Sequence, residues 1–423
     1  MPTLHTDVVV IGAGPAGLMA ARTLKSQGLK VAVLEARERV GGRTWNGKVA
    51  DAAGVEHFIE IGGQWISPDQ TRLSALVEEL GLQTFSRYRA GKSIYVSPDG
   101  ERHEYEGTQF PAGPHTIAEM DRMIETLDKL AAETDPARPW EHPRAAELDQ
   151  ISFRDWLGQL SDDPEAIDNI SIYIASGMLT KPSYTFSALQ AVLMAASAGS
   201  FSNLVDEDFI LDKRVVGGMQ KVSLKLADAL GDDVILGQPV RELRWAEPQE
   251  DTADSLNRIP ADVRNGLPNN GAPGQVTART RDYEVNARFA VLAVPPNLYS
   301  RISYVPPLPR EQHIAHQHIS MGLVIKVHAV YSRPFWRDGG LSGTGFGGGR
   351  LVQEVYDNTN VSEDGEEPYG TLVGFISDVH AEKMWALSPA ERKETILAAL
   401  AEYLGDKAKE PIAFYLSDMA AEE

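Results

Sequence analysis

Residues 7–17 read Asp7-Val8-Val9-Val10-Ile11-Gly12-Ala13-Gly14-Pro15-Ala16-Gly17 and lead, through a helix-forming run to Lys25 and then Gly28, into Lys30-Val31-Ala32-Val33-Leu34-Glu35. The β-branched run before Gly12 is the pattern of a strand buried on both faces of a parallel sheet, and the second apolar run repeats it. Between them Gly12, Gly14 and Gly17 form G-x-G-x-x-G at a strand-to-helix turn. The first glycine permits the tight turn, the second lets the backbone approach a pyrophosphate, and the third lets helix and strand pack closely. Pro15 and Ala16 open the helix, whose free N–H groups and dipole favour a phosphate anion. Glu35 ends the second strand at the distance expected of the acid that binds an adenosine ribose. A lone glycine triplet is a weak signal. Flanked by two buried strands and that acid, it predicts a dinucleotide site, without separating a nicotinamide from a flavin.

Beyond this unit the pattern changes several times. Residues 114–200 read as mostly helical, with an apolar stripe at Ile117, Met120, Ile124 and Leu127 and a capping box at Thr116 and Glu119. Ser152 with Asp155 marks another helix start, and Phe186–Ala198 is too short for a membrane span and reads as a buried helix. Residues 214–245 return to α/β, with Gly217-Gly218, a helix over Val222–Leu230 and a strand at Val234–Leu236. From Pro248 to Gly274 the chain is rich in Pro, Asn, Asp and Gly, which predicts a partly disordered surface insertion in a hairpin. Strands resume at Val276–Thr280 and Ala287–Val294.

Composition narrows the chemistry. The 423 residues include no cysteine, which removes disulfides, thiolate metal sites, a cysteine nucleophile and a cysteine-linked flavin. A formal net charge of −20 argues against nucleic acid and anionic membranes and suits a small cationic ligand. No signal peptide or membrane-length apolar run is visible, which predicts a cytoplasmic protein. His313, His316 and His318 lack an accompanying acid motif and are not assigned to a metal.

The segment Glu35-Ala36-Arg37-Glu38-Arg39-Val40-Gly41-Gly42-Arg43-Thr44 puts a second glycine pair and several arginines directly after the ribose acid. An arginine there can pair with diphosphate oxygens. This run resembles the second FAD-binding motif of the flavin-containing amine oxidase family, and Ile61-Gly62-Gly63-Gln64-Trp65 resembles its next one. Further likenesses lie at Arg214–Met219, Val291–Pro296, Met321–Lys326 and Pro334–Trp336. Within the family, Gly62–Gln70, Ser187–Arg214, Ser342–Gly347 and Gln353–Asn360 are most similar to bacterial putrescine oxidases; the 248–274 insertion is not part of that pattern. The resemblance implies an α/β fold: a Rossmann-like FAD-binding domain from 1–88 and 205–294, interleaved with a substrate domain of helices on a mixed sheet from 89–204 and 295–410. It implies that Arg43 contacts the diphosphate, that Gly62, Gly63 and Gln64 line the path to the flavin ring, and that Val240 gives adenine a backbone contact. Family members continue beyond Glu423 into a segment that completes the FAD domain, and Met419 stands where a tryptophan is usual. The chain is then a processed subunit, a truncated product, or a protein completed by a complementary C-terminal fragment; a homodimer is the expected assembly.

The implied reaction takes a hydride equivalent from the carbon beside a neutral amine, with O2 as oxidant, giving aldehyde, ammonia and peroxide. Read alone, Lys326 in an apolar strand is a snorkelling edge residue; by resemblance it holds a water beside flavin N5. Glu354 is either a solvated strand-end acid or the anion that receives the distal ammonium of a diamine. Tyr173, Met178 and Phe201 either line the pocket or belong to the core. Two other readings stand beside this one: an L-amino-acid oxidase or desaturase on the same fold, and an accessory chain without flavin. An amino-acid oxidase needs a pocket cation for the substrate carboxylate, which Glu354 would oppose.

Overall fold

The computed structural model describes residues 1–206, 209–246 and 275–419. They fall into two compact units, each assembled from separate stretches of chain: Met1–Trp45 with Met219–Met321, and Asn46–Gly218 with the chain from Gly322. The expected insertion at 248–274 lies outside the described residues, although the strands on either side of it, Glu242–Ala246 and Gln275–Arg279, pair antiparallel as a hairpin requires.

In the first unit, four parallel strands run in the order Val234–Ile235, Val31–Leu34, Val8–Ile11, Phe289–Leu292. Val8–Ile11 is buried at every position, as its unbroken apolar run requires. Helix Pro15–Ser26 connects the two central strands and ends before Gly28, whose φ of +82° suits glycine. A second, five-stranded sheet stacks Val240, Leu243, Ala278 and Val285 against Val9, Ile11, Ala32 and Leu34 to make this unit's core.

The second unit is built on a seven-stranded sheet in the order Ala413–Asp418, Val324–Tyr331, Gly370–Ser377, Glu354–Asp357, Leu341–Phe346, Lys92–Val96, Arg102–Tyr105. Only the Lys92–Val96 and Leu341–Phe346 pairing is parallel. Side chains alternate between the faces. Ile325, Val327, Ala329, Val355 and Leu372 pack on Ile396, Leu400 and Tyr403 of helix Pro389–Leu404. On the other face the register places Phe346, Glu354, Phe375 and Lys326 in one row, with Tyr356, Val373, His328 and Tyr415 in the next. Helices Pro114–Ala132, Phe153–Leu160, Pro164–Ser171 and Ala188–Ser197 surround Phe346, Tyr356 and Val373 in an aromatic-rich core.

One local reading changes, and one feature was not anticipated. Thr116 and Glu119 do not form a capping box: the helix starts earlier, at Pro114, and the Thr116 hydroxyl donates instead to Asp163 Oδ2 at 2.8 Å. Ser152, by contrast, is an N-cap accepting from the Asp155 N–H. Helix Pro164–Ser171 runs into a π-helical stretch, Ile172–Leu179, closed by Thr180 at φ +50°; no periodicity in the sequence announces it. The compact units divide the chain at 45/46, 218/219 and 321/322. The physical reason is pairing: Lys213–Val215 pairs with both Trp65–Ile66 and Thr84–Ser86, which holds 46–88 within the second unit. No described helix is long and apolar enough to cross a membrane.

Candidate active site

In the first unit the three glycines occupy the turn between Val8–Ile11 and helix Pro15–Ser26. A Cβ added at Gly12, where φ is +107°, would stand 2.9 Å from Ala293 O, and one added at Gly17 would stand 2.0 Å from Gly12 O. Those two positions are closed to a side chain by neighbouring backbone. At Gly14 a Cβ would meet nothing within 4 Å, and no side chain caps the helix that begins there. Open space over an uncapped helix N-terminus is what a pyrophosphate needs. Pro15 and Ala16 are exposed beside it. Glu35 is buried; its carboxylate accepts from the N–H groups of Ala13 at 2.6 Å and Arg37 at 3.0 Å, joining the acid to the glycine turn. The Gly41 N–H donates to Ala13 O at 2.9 Å, and a Cβ on Gly42 would lie 3.4 Å from Gly14 Cα. Arg39 donates to Gly42 O at 3.0 Å and lies over the Trp45 ring, while Ala36 and Arg43 are exposed, Arg37 is half-buried and Val240 is in the core.

In the second unit Lys326 is neither at a sheet edge nor snorkelling. Its strand has neighbours on both sides and its side chain is buried. Nζ donates to Glu60 O and Gly62 O, both at 2.7 Å, and to Gln64 Oε1 at 2.6 Å. Burial pushes its titration down to about 7, with Glu60 opposing and Arg214 adding to the shift. The Gln64 amide donates to Asn358 Oδ1. Arg214, fully buried, forks onto Glu60 at 2.5 and 3.0 Å and also donates to Asn358 O and Thr359 O. Gly62 is buried and Gly63 exposed, with nothing within 4 Å of an added Cβ at Gly63.

Between Lys326 and Glu354 stand aromatic rings. The Trp65 ring lies 5.8 Å from Lys326 Nζ, 5.6 Å from the Tyr356 ring and 5.9 Å from the Phe375 ring. The Tyr356 hydroxyl donates to Glu354 Oε2 at 2.8 Å. Glu354 is buried, not a solvated strand end, and burial pushes its carboxyl up to about 7 against the opposing Tyr356 hydrogen bond. Its Cα lies two strand spacings from that of Lys326, roughly 10 Å, along the row Lys326–Phe375–Glu354.

Tyr173 sits in the π-helical stretch with its ring about equally close to Phe110, Phe201 and Phe346, at 6.0, 6.0 and 6.1 Å. Met178, at the end of that stretch, is exposed. His313 and His316, on the surface helix Arg310–His318, contact Gln317 and Tyr299 respectively. Among the described residues no group of three His, Cys, Asp or Glu is placed to hold a metal ion. Tyr356 and the Arg214–Glu60 pair were not singled out from the sequence for what they do here; only the sheet register and long-range pairing expose them.

Residues 15–423 match the profile of the family described as flavin containing amine oxidoreductase. The chain belongs to that family. Among its relatives, this amine oxidase is 59% identical to the putrescine oxidase of Kocuria rosea, over 99% of its own length and 83% of the relative's. It superposes on a solved structure of wild-type putrescine oxidase bound to putrescine with a TM-score of 0.90 at 56% identity, covering 100% of this chain and 86% of that one. An L-amino acid dehydrogenase from Synechocystis is more distant, 28% identical over 100% of this chain and 83% of the relative.

Proposed function

We propose that this enzyme is an FAD-dependent oxidase of primary amines that converts putrescine, O2 and water to an aminoaldehyde, ammonia and hydrogen peroxide. The observation that carries the reading is the buried row in which a carboxylate, Glu354, and Lys326 stand two strands apart with aromatic rings between them. When bound, FAD supplies the redox chemistry, taking a hydride equivalent from the carbon beside the amine. The open space at Gly14, the uncapped helix and the buried Glu35 fit its pyrophosphate and ribose. Gly12, Gly14, Pro15, Ala16, Gly17, Glu35, Ala36, Arg37, Gly42, Arg43 and Val240 would hold the dinucleotide; Gly62, Gly63, Gln64 and Trp65 would face its ring. The stretches 1–88 and 205–294 are assigned this cofactor role, and 89–204 with 295–410 the substrate role.

Within the substrate role, Glu354 receives the distal ammonium by a charge-assisted hydrogen bond in a water-poor, aromatic setting. The Trp65, Tyr356 and Phe375 rings orient the apolar methylene chain and exclude water. Tyr173 and Met178 are assigned to the wall formed by the π-helical stretch. Lys326, held by Glu60, Gly62 and Gln64 at the other end of the row, would hold a water beside the flavin ring. An amino acid would bring a carboxylate to a row that presents Glu354, which disfavours that substrate class. Oxygen consumption by the holoenzyme tests the proposal: putrescine should yield peroxide and ammonia in equal amounts, and a protein that consumes no oxygen with any primary amine would refute it.

A further inference from the structure

Glu354 is approached on its two oxygens by very different neighbours. Oε2 accepts the Tyr356 hydroxyl at 2.8 Å. On the Oε1 side stands Gly177, where an added Cβ would lie 3.1 Å from Oε1 and 3.4 Å from Ile172 O. Gly177 has no positive φ, so its backbone conformation does not demand glycine; the missing side chain serves the space beside Oε1. The π-helical stretch that carries Gly177 is tied to the glutamate strand by Gln353 Nε2, which donates to Ser176 Oγ at 2.9 Å. Strand and π-turn are thus joined one residue from where Glu354 and Gly177 face each other.

Tyr356 is held as firmly as the π-turn. Trp65, Phe346 and Phe375 contact its ring at 5.6, 5.8 and 6.3 Å, and the Arg87 guanidinium lies 5.3 Å from its centroid. Arg87 is itself anchored on Thr344 Oγ1 at 2.9 Å. We infer that Tyr356 and Gly177 are positioning residues for diamine selectivity: the tyrosine hydroxyl keeps Glu354 an oriented carboxylate, and the glycine keeps Oε1 clear for the distal ammonium. This rests on the diamine reading above.

The groups facing Glu354 are few. Its own strand contributes Tyr356; Phe346 and Phe375 flank it; and the π-turn Ile172–Leu179 contains no charged side chain. Lys326 lies two strands along the row, Arg87 lies behind the Tyr356 ring, and Tyr403 belongs to the helix on the opposite face. Removing the tyrosine hydroxyl removes the one hydrogen bond that, among the described residues, favours ionised Glu354, so ionisation must move to higher pH.

The test is the ratio of kcat/KM for putrescine to that for butylamine, measured on holoenzyme from pH 6 to 9 for Tyr356→Phe, Gly177→Ala and Glu354→Gln. Because both substrates use the same flavin and folded fraction, the ratio cancels losses of either. Tyr356→Phe should lower it about tenfold near neutral pH and shift its rise with pH upward, so that selectivity returns towards pH 9. Gly177→Ala should lower it about tenfold across the whole range, since crowding does not titrate. An unchanged ratio and unchanged pH profile in both variants, with Glu354→Gln abolishing selectivity, overturns this inference and leaves the diamine reading standing. An unchanged ratio in Glu354→Gln overturns both.

Discussion

Lys326 and Glu354 lie on one face of one sheet, are equally buried, and titrate near the same pH from opposite directions. They differ in what they are given. Lys326 has three acceptors for three N–H donors, two of them backbone carbonyls that cannot turn away. Glu354, with room for several donors, receives one among the described residues, from Tyr356. A buried charge that is fully partnered is a fixed part of the scaffold, and a buried acid left with spare acceptors is prepared for a cation that arrives with the ligand. Only by releasing Gln64, its single side-chain acceptor, could Lys326 take a further partner. One end of the row is closed and the other keeps acceptor capacity to spare.

The strongest perturbation removes both ends from use together. Gly14→Val fills the open space over the helix N-terminus, so flavin absorbance of the purified protein should be lost while far-ultraviolet circular dichroism is retained. Stoichiometric flavin in that variant would detach the glycine turn from the cofactor. Next in size, Lys326→Met should lower kcat/KM about a hundredfold for putrescine and butylamine alike, because it releases Gln64 and the Glu60–Gly62 backbone at the end of the row that both substrates share. A loss confined to the diamine would reverse the roles of the two ends.

Smaller effects separate the pair by pH. Glu354 has its folded titration raised from 4.5 to about 7, so the stability it contributes is full below 4.5 and is lost as pH rises through 7. Lys326 has its titration lowered from 10.5 to about 7, so its contribution is full above 10.5 and is lost as pH falls through 7. Glu354→Gln without substrate should therefore leave stability unchanged near pH 4 and raise it by roughly 3 kcal/mol at pH 9. Thermal melts at the two pH values read this directly; a variant less stable at pH 9 would mean that the carboxylate is already neutralised inside the protein.

What could be read in advance follows how local each signal is. The glycine turn, its two strands and Glu35 lie within Val8–Glu35 and depend on short-range packing, so spacing alone places them. Lys326 and Glu354 stood out as charges in apolar strands, but their shared row depends on two antiparallel registers through Phe375. The Arg214–Glu60 pair joins residues 154 positions apart. Nothing in a sequence window carries that. Thr116 misled because a hydroxyl three residues before an acid also suits a tertiary partner, here Asp163. The π-turn has no periodicity of its own, since its widened geometry is sustained by what it packs against.

The measurement that bears most directly on the open end of the row is the effect of Glu354→Gln on two amines of equal carbon length. A charge-assisted hydrogen bond is worth roughly 1.5–3 kcal/mol, so kcat/KM for putrescine should fall about ten- to a hundredfold. Butylamine carries no distal ammonium and should lose far less, which collapses the ratio between the two. Equal losses for both amines would contradict the assignment, and would make Glu354 a structural acid whose burial serves the sheet rather than the substrate.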